Sequence, residues 1–99
     1  MTDEATNEAV AALFKALGNP TRVALVDVLS DGPRCVHELV EAIGVDQPLV
    51  SQHLRVLRDV DLLSTRRRGK EVVYSLADDH VAHIVGDAIS HAREHQEEA

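Results

Sequence analysis

Residues 35–60 read CVHELVEAIGVDQPLVSQHLRVLRDV and give the strongest indication of the fold. Apolar residues recur at helical spacing in two segments, about Cys35–Ile43 and Gln47–Val60. Only Gly44-Val45-Asp46 separates them, and Asp46 stands where a side chain can cap the second helix. Helices joined by so short a turn must cross steeply, which predicts a helix-turn-helix. The apolar residues expected on their inner faces are Leu39, Ile43, Val45, Val50, Leu54 and Leu57.

Two helices are predicted before this pair. The first, about Glu4–Leu17, ends at Gly18, which suits a helix end that needs a left-handed residue. The second begins with Asn19 as its cap and Pro20 at its first helical position, and it stops at Asp31-Gly32-Pro33. The many alanines of the first helix would let another helix approach closely.

A hairpin and a final helix are predicted after the pair. Leu63–Arg67 and Glu71–Leu76 are rich in β-forming residues and flank Arg68-Gly69-Lys70, so they predict two strands with a basic tip. The last helix runs from about Asp79 to Glu97. The chain of 99 residues is therefore expected to form one mainly α domain with a small β-hairpin, a winged helix-turn-helix of five helices. A core of this size gains from the extra burial that a dimer provides.

The net charge of −7 conceals a basic middle region. Residues 45–77 contain more basic than acidic side chains, whereas both ends of the chain are acidic. A local basic surface of this kind can face phosphates even when the whole chain is acidic. The basic residues of the region are Arg55, Arg58, Arg66, Arg67, Arg68 and Lys70.

Several classes of protein are excluded by composition. The single cysteine, Cys35, rules out an intramolecular disulfide framework, and Met1–Ala12 lacks the features of a signal peptide. No apolar stretch approaches the roughly 20 residues that cross a bilayer. Only Phe14 and Tyr74 are aromatic, which argues against a base-stacking platform. We expect a cytoplasmic protein with no membrane partner and no organic cofactor.

The second helix of a helix-turn-helix enters the major groove with its N-terminal half, so its outward polar residues can reach base edges. Gln52 can make two hydrogen bonds to an adenine edge, and Ser51 can bond to a base or a phosphate. The predicted base-reading residues are Gln47, Ser51, Gln52 and His53. The predicted phosphate contacts are Arg55, Arg58 and, on the wing, Arg66, Arg67, Arg68 and Lys70. The expected partner is double-stranded operator DNA.

Three motifs carry a resemblance to a known family: ALGNPTR at residues 16–22, VSQHL at residues 50–54 and Arg68-Gly69-Lys70. With the order of helices, they resemble the ArsR/SmtB family of metal-responsive repressors over roughly Ala9 to Glu97. Within that family the chain is similar to the actinobacterial zinc-responsive SmtB-type members, whose Cys-Val-His-Glu-Leu stretch corresponds to residues 35–39. The resemblance implies a winged homodimer that represses genes for metal efflux or homeostasis.

The last helix carries four of the six histidines, together with carboxylates, a donor set that suits divalent first-row metals. His80 and His91 share a helix face but stand roughly 16 Å apart, so one ion cannot touch both within a chain. If this helix packs antiparallel on its two-fold mate, Asp78 and His80 of one chain meet His91 and Glu94 of the other. Two nitrogens and two carboxylate oxygens fit tetrahedral Zn²⁺. The same spacing is the inter-subunit site that the resemblance implies.

An apolar stripe on the last helix borders this row of ligands and is predicted to pack between the two chains. Its members are Val81, Ile84, Val85, Ala88, Ile89 and Ala92. The predicted dimer surfaces are therefore residues 4–17 and 79–97, and the DNA-reading surfaces are residues 35–60 and the wing at 63–76. We expect metal held between the last helices to fix a dimer geometry that fits the operator poorly.

Other metal-binding residues are less certain. His83, Asp87 and His95 can complete a six-coordinate Ni²⁺ or Co²⁺ site, or they can simply be exposed. Cys35 and His37 lie where arsenic-, cadmium- or lead-sensing family members carry a Cys-x-Cys pair, but a buried apolar role is favoured for Cys35. No group to orient a nucleophile accompanies Cys35, so no enzyme is expected. The remaining alternative is a metal-independent DNA-binding or protein-interaction module.

Overall fold

Eight elements follow one another along residues 1–96, which the computed structural model describes. They are α1 (Glu4–Leu17), α2 (Pro20–Leu29), β1 (Arg34–Cys35), α3 (Val36–Ile43), α4 (Gln47–Asp59), β2 (Leu63–Arg68), β3 (Glu71–Leu76) and α5 (Asp79–Gln96). The five helices and the hairpin confirm the predicted winged helix-turn-helix, with bounds shifted by at most one residue among those described. Glu97, the predicted last residue of α5, lies outside the described residues.

The junction between α1 and α2 is fixed by capping. The Asn19 side chain accepts hydrogen bonds from the backbone N–H groups of Thr21 and Arg22, at 2.9 and 3.2 Å. Gly18 does not adopt the left-handed conformation that we expected, since its φ is −78°. Its role is steric, because a Cβ there would lie 3.3 Å from the Lys15 carbonyl oxygen. The two helices therefore meet at a close, rigid corner.

The turn between α3 and α4 contains the left-handed residue of this region. Gly44 ends α3 with φ 75°, and its N–H donates to the Val40 carbonyl. Asp46 occupies the N-cap position of α4 as predicted, but its side chain makes no capping hydrogen bond. The orientation of α4 must therefore come from packing rather than from its cap.

The sheet has three strands, not the two of the predicted hairpin. The short strand β1 pairs antiparallel with β3, with Cys35 opposite Val73, and the strand order is β1-β3-β2. A strand of two residues has no detectable periodicity, which is why the sequence did not reveal it. As a result, β3 is tied to the start of α3, and the wing is joined to the helix-turn-helix.

The core lies where the inner faces of α2, α3 and α4 meet β3. Its fully buried members are Leu25, Val26, Leu39, Val50, Leu54, Leu57, Leu62 and Val73. Three of these belong to α4, at helical spacing, so the rotation of that helix about its axis is fixed. The polar residues of α4 other than His53 consequently lie on the outer surface.

Helices α1 and α5 leave apolar side chains uncovered. Phe14 is 56% exposed and Ile84 is 37% exposed. Val81 and Val85 were predicted to pack between two chains, but they are buried in the core of their own chain because α5 lies against it. Phe14 and Ile84 border a groove of about 210 Å³ whose remaining lining is Leu17, Val23, Val85 and Ala88. None of the helices in residues 1–96 has the length and apolar character needed to cross a bilayer.

Candidate nucleic-acid interface and metal centre

The first half of α4 presents polar side chains to solvent. Gln47, Ser51 and Gln52 are exposed, while Val50 and Leu54 of the same helix are fully buried. This is the arrangement that base reading requires, because the buried residues hold the helix while the exposed ones remain free to pair. These three residues lie on the face that the sequence predicted.

Two arginines extend this surface toward the wing. Arg55 and Arg58 are exposed and line a depression of about 420 Å³ between α4 and β3. Ser51, Asp59 and Tyr74 complete its lining. Guanidinium groups at this position can bond phosphate oxygens through several N–H donors, although the Asp59 carboxylate reduces the local positive charge.

The wing carries four exposed cations near its tip. Gly69, with φ 64°, lies in the two-residue loop between Arg68 and Glu71. Successive side chains of a strand alternate between faces, so Arg67 projects opposite to Arg66 and Arg68. Arg68 and Glu71 approach to 3.9 Å between exposed groups, a distance too long to immobilise either one. All four basic residues, Arg66, Arg67, Arg68 and Lys70, remain accessible to phosphates.

His53 differs from the other predicted base-reading residues. Its ring is partly buried, and Nδ1 lies 3.1 Å from Nη1 of Arg22 in α2. Burial lowers the pKa of His53, and the positive charge of Arg22 lowers it further. The sequence placed His53 on the outward face of α4, whereas the structure turns its ring toward α2.

The predicted ligands on α5 are all exposed, and they form a row along the helix. His80, His83, Asp87, His91 and Glu94 follow at spacings of three or four residues, so they share one face. Asp78 precedes the helix and its Oδ1 accepts from the Val81 N–H at 3.2 Å. His95 packs on His91 with ring centroids 4.3 Å apart, and its Nδ1 donates to the His91 carbonyl.

The α5 residues do not make a metal site within one chain. Among residues 1–96, a single group of three donors lies close enough to hold an ion, and it contains none of the α5 residues. This agrees with the axial separation of His80 and His91. Their donor set fits zinc only if a second copy supplies the other half.

The group that does assemble consists of Cys35, His37 and Glu71, whose donor atoms lie within 4.8 Å of one another. The Cys35 Sγ is 3.2 Å from Nδ1 and 3.6 Å from Nε2 of His37. Sulfur and nitrogen bound to one tetrahedral zinc stand roughly 3.6 Å apart, so the spacing of these two donors fits. The sequence indicated the first two residues but not Glu71, which β1 pairing brings alongside Cys35.

The Cys35 thiol is held in its protonated form. Burial raises its pKa, and a hydrogen bond from Sγ to Glu38 Oε1 at 3.1 Å raises it further. The Glu38 carboxylate also accepts from the Cys35 backbone N–H at 2.9 Å, and this bond lowers the pKa of Glu38. The predicted burial of Cys35 is confirmed, with 3% of its surface exposed. A cation here would have to displace the thiol proton.

The Cys35 group lies beside α4, the helix that the sequence predicted to read DNA. Cys35, His37 and Glu71 line a cavity of about 330 Å³ together with Gln47, the first residue of α4. The two candidate metal centres therefore occupy different parts of the fold. One is within the DNA-reading half, and the other lies along α5.

Comparisons with known proteins agree with this architecture. Residues 19–65 match the family model described as bacterial regulatory protein, arsR family. The HTH-type transcriptional repressor SmtB of Mycobacterium tuberculosis is 52% identical over 87 residues, which cover 88% of this chain and 64% of that protein. A Staphylococcus aureus homologue of the cadmium resistance transcriptional regulatory protein CadC is 42% identical over 86 residues, covering 86% of this chain and 71% of that protein.

A solved structure matches the whole chain. It is the homodimeric winged helix-turn-helix DNA-binding domain of Mb0332 from Mycobacterium bovis, described as a possible ArsR-family regulator. The TM-score is 0.88 at 31% identity, with 100% of this chain and 94% of that chain covered. The SmtB relative is a transcriptional repressor and the CadC relative a homologue of a transcriptional regulator, which is the class of protein that the sequence predicted for this chain. The chain spans 64% of the length of the SmtB relative.

Proposed function

The chain belongs to the ArsR family of bacterial regulatory proteins, and we propose that it is a cytoplasmic, metal-responsive transcriptional repressor that binds operator DNA as a homodimer. One observation carries the proposal. The exposed donors of α4 and the cations of the wing occupy one half of the chain, while an exposed row of histidines and carboxylates occupies α5. The first surface suits DNA and the second suits a divalent metal.

DNA recognition is assigned to the exposed face of α4 and to the wing. Gln47, Ser51 and Gln52 read base edges, and Arg55 and Arg58 contact phosphates. Wing cations add contacts that hold the protein on the duplex without reading sequence. With about six phosphate contacts in a dimer, the logarithm of the binding constant falls with the logarithm of salt concentration at a slope near −5.

The partner proposed for the uncovered faces of α1 and α5 is a second copy of the chain. Phe14 and Ile84 border an apolar groove, and large apolar side chains at such exposure favour burial. The homodimeric state of the structural relative from Mycobacterium bovis supports the same occupant. Sedimentation equilibrium tests this, with a mass of two chains expected and a single-chain mass contradicting it.

Zinc is the proposed metal, and it would be held by Asp78 and His80 of one chain with His91 and Glu94 of the second. Two imidazoles and two carboxylates fit its tetrahedral preference. When bound, the ion supplies a cross-link between two α5 helices. Nickel or cobalt becomes the better candidate if His83, Asp87 or His95 also bind, because those ions accept six ligands.

Release of the operator follows from how α5 is anchored. Val81 and Val85 are buried in the same core that holds α4, so a fixed arrangement of two α5 helices restricts both recognition helices. For this to cause release, metal must bind free dimer about 5- to 150-fold more tightly than DNA-bound dimer. The coupling is reciprocal, and equal zinc affinity with and without operator would contradict it.

The Cys35 group is a second candidate for the sensing site. The Cys35 and His37 spacing supports it, as does its position beside Gln47. Against it stands the raised pKa of the Cys35 thiol, because a metal must compete with the proton there. We therefore assign metal sensing to α5. The Cys35 group becomes the candidate if variants of the α5 ligands still release DNA when metal is added.

Fluorescence anisotropy on the chain's own upstream DNA tests the function. Zinc, and separately nickel and cobalt, is titrated into the preformed complex at fixed salt and with non-specific competitor DNA. We expect release near one zinc per chain. Specific binding that no metal changes would contradict sensing and indicate a metal-independent DNA-binding protein. A lack of specific binding under all conditions would indicate a protein-interaction module.

A further inference from the structure

A chain of side-chain contacts joins three helices beneath the DNA-reading surface. Arg22 of α2 reaches His53 of α4 through Nη1, at 3.1 Å from Nδ1. The same guanidinium donates through Nε to the carbonyl oxygen of Ala16, near the end of α1. Arg22 is itself held at the start of α2, where its backbone N–H donates to Asn19. The end of α1 is thus connected to the middle of α4 through one arginine.

The direction of each hydrogen bond is fixed by chemistry. A guanidinium has donors only, so Nδ1 of His53 must be the acceptor. The ring is then neutral and carries its single proton on Nε2. Adding a second proton would remove the acceptor and place two cations side by side.

The charged surroundings favour the neutral ring. Arg22 is the charged group that His53 contacts, and burial together with that charge lowers the pKa of His53. Arg22 also borders a cavity lined by Lys15 of α1 and Asp59 of α4. At neutral pH the link between Arg22 and His53 is therefore intact.

We propose that His53 is a positioning residue, which holds the recognition helix α4 against the α1–α2 corner through Arg22, and does not read bases. Because α1 is a proposed dimer helix, this link ties the dimer surface to the DNA-reading surface. Gln52 and Arg55, which flank His53 closely along α4, are kept at a set angle to the dimer axis. The role presupposes operator binding, so it rests on the proposed function.

Substitution of both partners gives the direct test. His53→Leu removes the acceptor, Arg22→Met removes the donor, and each is expected to weaken operator binding about tenfold. The double variant should be no weaker than Arg22→Met alone, since that substitution already breaks the link that His53→Leu breaks. His53→Gln keeps a side-chain acceptor and should restore much of the affinity. Thermal unfolding followed by circular dichroism identifies any variant that fails to fold. If one of the other variants fails, the proposal is tested with His53→Gln instead.

Measurements of binding specificity distinguish a positioning role for His53 from a base-reading role. A base-reading histidine, once lost, relaxes discrimination at one base pair of the operator. A positioning residue, once lost, reduces the ratio of specific to non-specific affinity without singling out a base pair. Relaxation confined to one base pair, or additive effects in the double variant, would overturn the proposal.

The pH dependence of operator affinity has opposite signs for the two roles. It is measured from pH 7.5 to 5.5 with chelator present, as the ratio of wild type to His53→Gln, so that the other histidines cancel. Because its pKa is lowered, a positioning His53 gains a proton only below the ordinary histidine pKa of about 6.5; it then loses Arg22, so the ratio falls. A histidine that faces DNA would gain attraction to phosphates, and a rising ratio would overturn the proposal. Absence of specific binding by the wild type would instead refute the proposed function.

Discussion

The proposed DNA-reading half, residues 35–76, and the C-terminal helix α5 differ in how their polar residues are arranged. In residues 35–76 the polar groups are organised within one chain: Gln47 and Ser51 lie on one helix face, and Cys35, His37 and Glu71 converge. On α5 the equivalent donors are arranged in a row and do not converge within the described chain. The first region is complete alone, whereas the proposed α5 site would need donors from a second chain.

This difference indicates at which site a bound metal can change operator affinity most. A site within one chain can alter only its own surroundings, whereas a site shared by two chains alters their relative orientation. Two recognition helices must fit successive major grooves, so relative orientation is the property on which operator affinity depends most steeply. The incomplete row on α5 is for that reason the stronger candidate for the sensor.

The largest expected effect comes from removing one shared ligand. His91→Ala should lower zinc affinity at least about 100-fold. Loss of a residue that only hydrogen-bonds a metal ligand typically lowers affinity about 10- to 100-fold, and loss of the ligand itself should lower it more. Operator affinity of the metal-free protein should stay unchanged, because His91 is exposed. Zinc titration of the operator complex by anisotropy measures both.

Ser90→Ala is the matched control for that variant. Ser90 is exposed, adjacent in sequence and outside the predicted ligand set, so its zinc response should equal that of the wild type. If His91→Ala also lost operator binding, α5 would be structural and the comparison between the two regions would fail.

A smaller effect is expected on the wing. Arg67→Ala should weaken binding to operator and to unrelated DNA alike, by about tenfold, because a phosphate contact carries no sequence information. The salt slope should become shallower by about 1.8 for a dimer that loses two contacts. Arg67→Lys keeps the charge and should keep the slope. A change confined to the operator would mean that the wing reads sequence.

The smallest effect is expected at the cluster that is already assembled. Cys35→Ala should change the zinc concentration for operator release by less than about twofold, because Cys35 is not among the proposed α5 ligands and a metal at its thiol would have to displace a proton. Reaction of Cys35 with iodoacetamide should accordingly be slower in native than in urea-unfolded protein, and should speed up as pH rises. Loss of the zinc response in Cys35→Ala would show that the metal-sensing site is the Cys35 group and not α5.

The helices could be predicted because their signals are local. Asn19-Pro20 begins α2, and Gly44 ends α3, through backbone preferences that a few residues determine. Strand β1 could not be predicted, since Arg34 and Cys35 form it only by pairing with residues almost forty positions later. The left-handed conformation predicted for Gly18 is wrong. Glycine is favoured there because a Cβ would crowd the Lys15 carbonyl oxygen, and not because the backbone has a positive φ.

The same distinction applies to the candidate sites. Exposure of Gln47, Ser51 and Gln52 followed from helical periodicity, because the buried residues between them set the helix rotation. The contact of His53 with Arg22 did not follow, since it depends on how α2 and α4 cross. Glu71 was missed for a related reason, as only the β1–β3 register brings it to Cys35. The shared α5 site stays a prediction.

Zinc binding by mixed dimers tests the shared site most directly. His80→Ala and His91→Ala chains, carrying different affinity tags, are co-expressed, and the heterodimer is purified through both tags. In it, one site has both histidines intact and the other lacks both. We predict one tightly bound zinc per heterodimer, measured by competition with a chromophoric chelator, and none in either variant homodimer. A heterodimer without tight zinc, or homodimers that each retain it, would contradict a site shared between the two α5 helices.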